Sequence, residues 1–148
     1  MDDPKTGRKS IQSWQDLRVW KTSHDLVLKV YQLTKEFPGD ERFRLTDQLC
    51  RAAASVPTNI VEGKSRHSVR EYRQFLTVAR GSVEELKYLV LLGRDLGYLH
   101  REHYAQMTAD CEQIGKMLNG LIRSLRRPTL TPALRSQVSG LRAGNPPP

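Results

Sequence analysis

Residues 51–71 read RAAASVPTNIVEGKSRHSVRE, and this stretch decides the fold because a proline, a glycine and a helix-start signal follow one another within it. Apolar residues recur at helical spacing up to Ile60, which predicts a helix that contains Pro57. A proline inside a helix removes one backbone donor and clashes with the preceding turn. Pro57 therefore predicts a bend in this helix.

The second half of the stretch predicts where one helix ends and the next begins. Gly63 is the predicted stop, because glycine enters the left-handed region without a Cβ penalty and commonly ends helices. Ser68, followed three residues later by Glu71, has the pattern of a capping box at a helix start. Two long helices therefore meet here in a hairpin.

The same helical spacing extends in both directions from the hairpin. It predicts a first helix from a cap at Ser13 to about residue 35, a second capped by Asp40 from residue 41 to about 62, a third from 69 to about 96 and a fourth from 101 to about 126. No alternation typical of strands persists. Four helices with short connections predict an all-α, antiparallel up-down four-helix bundle. Its predicted seams are Tyr72, Leu76, Ala79, Val83, Leu86, Val90 and Gly93 on the third helix, and Met107, Cys111, Ile114, Leu118, Leu121 and Leu125 on the fourth.

Three segments differ in composition along the chain. Residues 1–12 are polar and without pattern, which predicts a flexible N-terminal segment, and residues 13–127 carry the bundle. Residues 128–148 are rich in proline and contain arginines, so we expect a disordered basic tail.

The composition is that of one globular domain, with 148 residues of which 38% are hydrophobic and 27% charged. The longest apolar run, residues 88–93, is far shorter than the roughly 20 residues a bilayer requires, and the N-terminus lacks the apolar stretch of a signal peptide. We therefore expect a cytoplasmic protein without a membrane partner. Cys50 and Cys111 both lie among apolar neighbours, which favours free thiols in the core over a disulfide.

The formal net charge of +8 is the strongest indication of a partner. Such a balance favours polyanions, namely nucleic acid, an acidic protein or an anionic surface. The charge is uneven, and a solubilising tail is the alternative explanation for its C-terminal part. After Glu112 the chain has no acid, and its basic residues are Lys116, Arg123, Arg126, Arg127, Arg135 and Arg142.

The chain as a whole resembles the four-helix-bundle family of 23S ribosomal RNA intervening-sequence proteins over roughly residues 14–126. The order and spacing of several segments together carry this resemblance. These segments are DLRVW at 16–20, VYQLT at 30–34 with FP at 37–38, QLCRAA at 48–53, SVPTNIVEG at 55–63, and EY at 71–72 with FL at 75–76 and ARGS at 79–82.

The resemblance implies a homo-oligomer, preferably a pentamer, that is not an enzyme. Related accessory proteins of diversity-generating retroelements resemble the same bundle assembled as a basic barrel that binds nucleic acid and a reverse transcriptase. RNA or DNA, and a reverse transcriptase, are therefore the partners implied for this chain.

A row of cations on the third helix is the predicted nucleic-acid-binding site. Residues seven positions apart drift only slightly around a helix, so such a row presents several charges on one face to a phosphate backbone. Arg51 joins the site through its place in the family segment. The alternative is pairing with acids such as Asp25, Asp47 or Glu62. The predicted site comprises Arg51, Lys64, Arg66, Arg70, Arg73, Arg80, Lys87 and Arg94.

Catalytic and cofactor motifs give no support to an enzyme. His100 and His103 lie three apart, but a zinc site needs further ligands at fixed spacing, and no phosphate loop or nucleophile elbow occurs in the sequence. We expect no catalytic residues, metal or cofactor. The leading function is a non-enzymatic oligomer that binds RNA or DNA, and the alternative is a scaffold whose basic surface docks an acidic protein.

Overall fold

A computed structural model describes residues 13–126 of the protein. Four α-helices account for most of this range: α1 (Arg18–Thr34), α2 (Leu45–Lys64), α3 (Val69–Asp95) and α4 (Arg101–Ser124). Short 3₁₀ turns at Trp14–Asp16 and Gly39–Glu41 precede α1 and α2, and the described residues contain no β-strand. The predicted all-α class is confirmed.

Each helix contacts the next one along the chain, and α1 also contacts α4, which closes the bundle. The directions of α2 and α3 follow from two contacts. Ser55 Oγ lies 2.8 Å from Ser82 Oγ, whereas Gly63, later in α2, faces Tyr72 near the start of α3. The two helices are therefore antiparallel.

The α3 and α4 helices are antiparallel for the same reason. Arg80 Nη1 donates to Asn119 Oδ1 over 3.0 Å, and the guanidinium of Arg94, later in α3, lies over the ring of Tyr104, earlier in α4. One end of the bundle, which we call the hairpin end, thus holds the α2–α3 connection, the start of α1 and the end of α4. The opposite end holds the α1–α2 and α3–α4 connections.

The core follows the predicted seams of α3 and α4. Tyr72 is half-buried, and the remaining predicted seam residues of α3 are buried. The C-terminal end of α4 differs, because Ile122 is buried and the predicted Leu121 and Leu125 are only half-buried. The buried row passes from Leu118 to Ile122 and not to Leu121, because a step of four residues is closer than a step of three to one turn of about 3.6 residues.

Gly63 does not end α2, so this prediction is wrong. It lies buried inside the helix, and a Cβ built on it would lie 2.8 Å from Tyr72 Cδ2 and 2.9 Å from Phe75 Cβ. Gly63 therefore lets α2 and α3 approach each other where a larger residue would clash. The glycine with a left-handed conformation is Gly97, which follows α3 and has a φ of +81°.

Gly97 ends α3 with a Schellman motif. The N–H of Tyr98 donates to the carbonyl of Gly93 over 2.9 Å, and that of Gly97 donates to Arg94 over 2.9 Å. These two bonds satisfy carbonyls left free at the helix end. The predicted third helix is confirmed to within a residue at this end.

Two predicted helix starts are displaced. Ser13 and Asp16 do form a capping box, but it caps the 3₁₀ turn at Trp14–Asp16 rather than α1. Asp40 is not the cap of α2, which begins at Leu45 with its N–H bonded to Glu41 Oε2 at 3.2 Å. Glu41, in the Gly39–Glu41 turn, and the turn residues 42–44 occupy the positions that were predicted to begin the helix.

The α2–α3 connection matches its prediction more closely. Ser68 Oγ accepts a hydrogen bond from the N–H of Glu71 over 3.0 Å, which is the hydroxyl half of the predicted capping box.

Pro57 is buried within α2. The side chain of Asn59 donates to the carbonyl of Ser55 over 2.7 Å, so it does not satisfy the carbonyl of Ala53 that Pro57 leaves without its usual donor.

None of the helices between residues 13 and 126 is long and apolar enough to cross a bilayer. The predictions for residues 1–12 and for the tail at 128–148 lie outside the described residues.

Candidate nucleic-acid interface

An open groove with a volume of about 370 Å³ runs between α3 and α4. Its lining, within the described part of the chain, is basic and contains no acidic side chain. Buried Ile122 is the apolar part of its lining. The polar lining residues are Arg80, Lys116, Asn119, Arg123 and Arg126.

The periodicity of α4 places its contribution to this groove on one face. Four polar residues near the end of α4 follow one another at intervals of three and four, so they lie on one side of the helix. They are Lys116, Asn119, Arg123 and Arg126. Arg80 reaches this stripe from α3 through its 3.0 Å bond to Asn119. An amide partner leaves the guanidinium charge of Arg80 unneutralised.

Sequence reasoning missed three of these side chains as site residues. Lys116, Arg123 and Arg126 entered the prediction only as part of the basic C-terminal quarter. The signal that identifies them is the match between two spacings, since Lys116 and Arg123 are seven residues apart, as are Arg73 and Arg80. Two antiparallel helices with such rows form one basic surface where the rows meet.

The cations of the predicted row on α3 differ in whether an acidic side chain pairs with them. Lys87 Nζ lies 3.5 Å from Glu84, and Arg94 lies 2.9 Å from Asp95. These two cations are therefore neutralised on their own helix, unlike Arg80. Exposed pairs of this kind contribute little to stability, about 0–1 kcal/mol.

Arg70 and Arg73 line a shallower depression on the outer side of α3, together with Gln74, Thr77 and Val78. Arg73 Nε is inaccessible to solvent and has no hydrogen-bond partner among the described residues. A buried donor without a partner costs about 1–3 kcal/mol.

Lys64 and Arg66 are positioned by aromatic rings at the α2–α3 connection. Lys64 Nζ lies 5.9 Å from the ring centroid of Tyr72, and the guanidinium of Arg66 lies 4.8 Å from that of Phe75. Cation–π contacts orient the charged groups without neutralising them. The close crossing at Gly63 places both rings beside this connection.

Arg51 is separate from the other predicted site residues. It is exposed on α2 and pairs with Asp47 one turn earlier, with 3.0 Å between Nε and Oδ2. Asp25, Asp47 and Glu62 were the predicted alternative partners of the cations. Within residues 13–126 only Asp47 of these three forms an ion pair, and its partner Arg51 is on α2 and not in the α3 row. Neither Asp25 nor Glu62 pairs with a cation there.

The histidines and cysteines were the other groups considered as candidate site residues. The rings of His100 and His103 lie 6.1 Å apart, and no group of three metal-binding side chains occurs among the described residues. Burial raises the pKa of the Cys111 thiol to about 12, so it stays neutral at physiological pH. Cys50 and Cys111 are both free, as predicted.

The family model of the 23S rRNA-intervening sequence proteins matches residues 15–120, and the chain belongs to this family. The family is named for an intervening sequence in ribosomal RNA and not for a reaction. The chain is also similar to the crystal structure of a Bacteroides thetaiotaomicron protein of unknown function from the S23 ribosomal protein family. The two share 25% identity with a TM-score of 0.66, over 70% of this chain and 97% of the other. No curated protein matches the chain.

Proposed function

We propose that this protein is a non-enzymatic, homo-oligomeric nucleic-acid-binding protein that contacts phosphates through the groove between α3 and α4. The observation that carries the proposal is the set of four cations around Ile122 with no acid in the lining. Family membership favours structured RNA as the ligand. A reverse transcriptase, which the resemblance to retroelement accessory proteins implies, is a further partner to be tested.

The composition of the groove suits a phosphate backbone better than a sequence of bases. Asn119 is the only amide side chain among the described lining residues, whereas readout of a mixed base sequence also needs amide and acidic groups placed against base edges. The lining also lacks an aromatic ring on which an unpaired base would stack. We therefore expect binding that depends on backbone charge and little on sequence.

The salt dependence of binding tests this function. Fluorescence anisotropy with a labelled 20-base-pair RNA duplex should give a log affinity that falls linearly with log salt, by about 0.9 for each phosphate contacted. Duplexes of unrelated sequence should give the same slope. If the duplex does not bind at low salt while a polyglutamate peptide does, the acidic-protein scaffold is the correct function.

Self-association is part of the proposal and rests on the outer face of α3. Val78 and Tyr88 are 54% and 61% exposed there, which is high for large apolar side chains. Leu91 and Leu92 lie away from the predicted seam of α3, but both are only partly exposed, and Leu92 packs against the core of its own chain. Val78 and Tyr88 are therefore the exposed apolar groups that we assign to a contact between subunits.

Size-exclusion chromatography with light scattering measures the assembly directly. We expect a particle several times the chain mass of 16.9 kDa, with five subunits preferred from the family resemblance. A Val78→Glu/Tyr88→Glu variant should shift the mass towards that of one chain, because it places charges in an apolar contact. A monodisperse monomer of the unaltered chain at micromolar concentration would contradict self-association.

A further inference from the structure

We infer that the nucleic acid approaches the bundle from one end, the hairpin end, and that the opposite end faces away from it. This inference rests on the proposed function and adds the direction of binding. Its basis is the unequal balance of bases and acids at the two ends of the bundle.

Cations without acid partners gather at the hairpin end. Within residues 13–126, Lys64, Arg66 and Arg70 form no ion pair, and the rings of Tyr72 and Phe75 hold the first two in place. Bases outnumber acids at this end. Its acids are Asp16, Glu62 and Glu71, and its bases are Arg18, Lys21, Lys64, Arg66, Arg70, Arg123 and Arg126. The end of α4 adds Arg123 and Arg126 because α4 runs antiparallel to α3.

The opposite end has no comparable excess of positive charge. Acids alternate with bases through both of its connections, and ion pairs or hydrogen bonds engage several of these groups. Arg94 pairs with Asp95, and Tyr98 donates to Glu41 over 3.2 Å. Its acids are Glu36, Asp40, Glu41, Asp47, Asp95 and Glu102, and its bases are Lys35, Arg42, Arg44, Arg51, Arg94 and Arg101.

The hairpin cations and the groove are close enough to bind one duplex. Arg70 and Arg80 are ten residues apart on α3, which is about 15 Å along the helix axis. This length corresponds to about four base pairs of a duplex. Arg73 lies between them, one heptad before Arg80. A single helical turn of nucleic acid therefore spans both clusters and leaves the opposite end free.

Two variants with equal charge loss distinguish a directed contact from a general effect of net charge. Arg66→Gln/Arg70→Gln removes two exposed cations at the hairpin end, and Lys35→Gln/Arg101→Gln removes two at the opposite end. We expect the first variant to lower the salt slope by about 1.8, which is on the order of 50-fold in affinity at 0.1 M salt. The second should stay within about threefold of the unaltered protein.

A charge-conserving variant controls for folding. Arg66→Lys/Arg70→Lys should keep most of the affinity, because phosphate contacts need charge more than side-chain geometry. Circular dichroism melts of all three variants verify that the bundle is intact. If both Gln variants lose affinity equally, or if the hairpin variant loses none while folded, the directed contact is wrong although nucleic-acid binding stands. If the unaltered protein does not bind the duplex at all, the proposed function fails first.

Discussion

Replacing Gly63 by valine is expected to destabilise the bundle by about 3 kcal/mol or more, the upper part of the range for overpacked cores. A Cβ at this position lies 2.9 Å from Phe75 Cβ and 3.3 Å from the carbonyl oxygen of Tyr72. Neither atom can move without the backbone of α3. The gain in helix propensity on losing glycine, below about 1 kcal/mol, does not offset this clash.

Thermal unfolding followed by circular dichroism measures the effect, with all proteins at one chain concentration because assembly shifts the midpoint. Gly115→Ala is the matched control, since it also replaces a glycine inside a helix but has nothing within 4 Å of the new Cβ. It should stabilise the protein by about 0.5–1 kcal/mol. Equal midpoints for Gly63→Val and the unaltered protein would contradict the close crossing of α2 and α3.

Gly63 also illustrates which part of the fold the sequence could predict. Apolar residues at intervals of three and four were sufficient for four helices and most of their buried faces, because burial of these stripes is what holds a bundle together. A glycine near the end of such a pattern has two uses, a left-handed stop or a close approach. Only the positions of Tyr72 and Phe75 on the next helix decide between them.

The start of α2 was misplaced for a related reason. Asp40 and Glu41 are adjacent acids, and either can satisfy free N–H groups at a helix start. The 3₁₀ turn at Gly39–Glu41 moves the start to Leu45, where the longer side chain of Glu41 reaches the backbone. Local sequence does not encode that choice.

The candidate site was predictable on one helix but not across two. The heptad spacing of the α3 cations is visible in the sequence, but which of them keep a free charge depends on neighbours such as Glu84 and Asp95. The contribution of α4 depends on its register against α3, which the Arg80–Asn119 bond and the Schellman turn at Gly97 reveal. No pattern within one helix contains this register.

Removal of the four groove cations is expected to have the largest effect on binding. In Arg80→Gln/Lys116→Gln/Arg123→Gln/Arg126→Gln, each lost phosphate contact lowers the salt slope by about 0.9, so the slope falls by about 3.6. At 0.1 M salt this corresponds to an affinity loss of about 4,000-fold. Glutamine is a polar residue with a hydrogen-bond donor, so the variant removes four charges without creating an apolar surface.

The most direct test of phosphate binding in the α3–α4 groove compares this variant with a control of equal charge, Lys35→Gln/Arg42→Gln/Arg44→Gln/Arg101→Gln, at the opposite end of the bundle. Both lose four charges from a chain of net charge +8. The measurement is the affinity for a labelled RNA duplex by fluorescence anisotropy at several salt concentrations. We predict that the groove variant loses most of its affinity and slope while the control changes by less than about tenfold, since only bound phosphates release counterions. Equal losses in both variants, or an unchanged slope in a folded groove variant, would contradict the groove as the nucleic-acid interface.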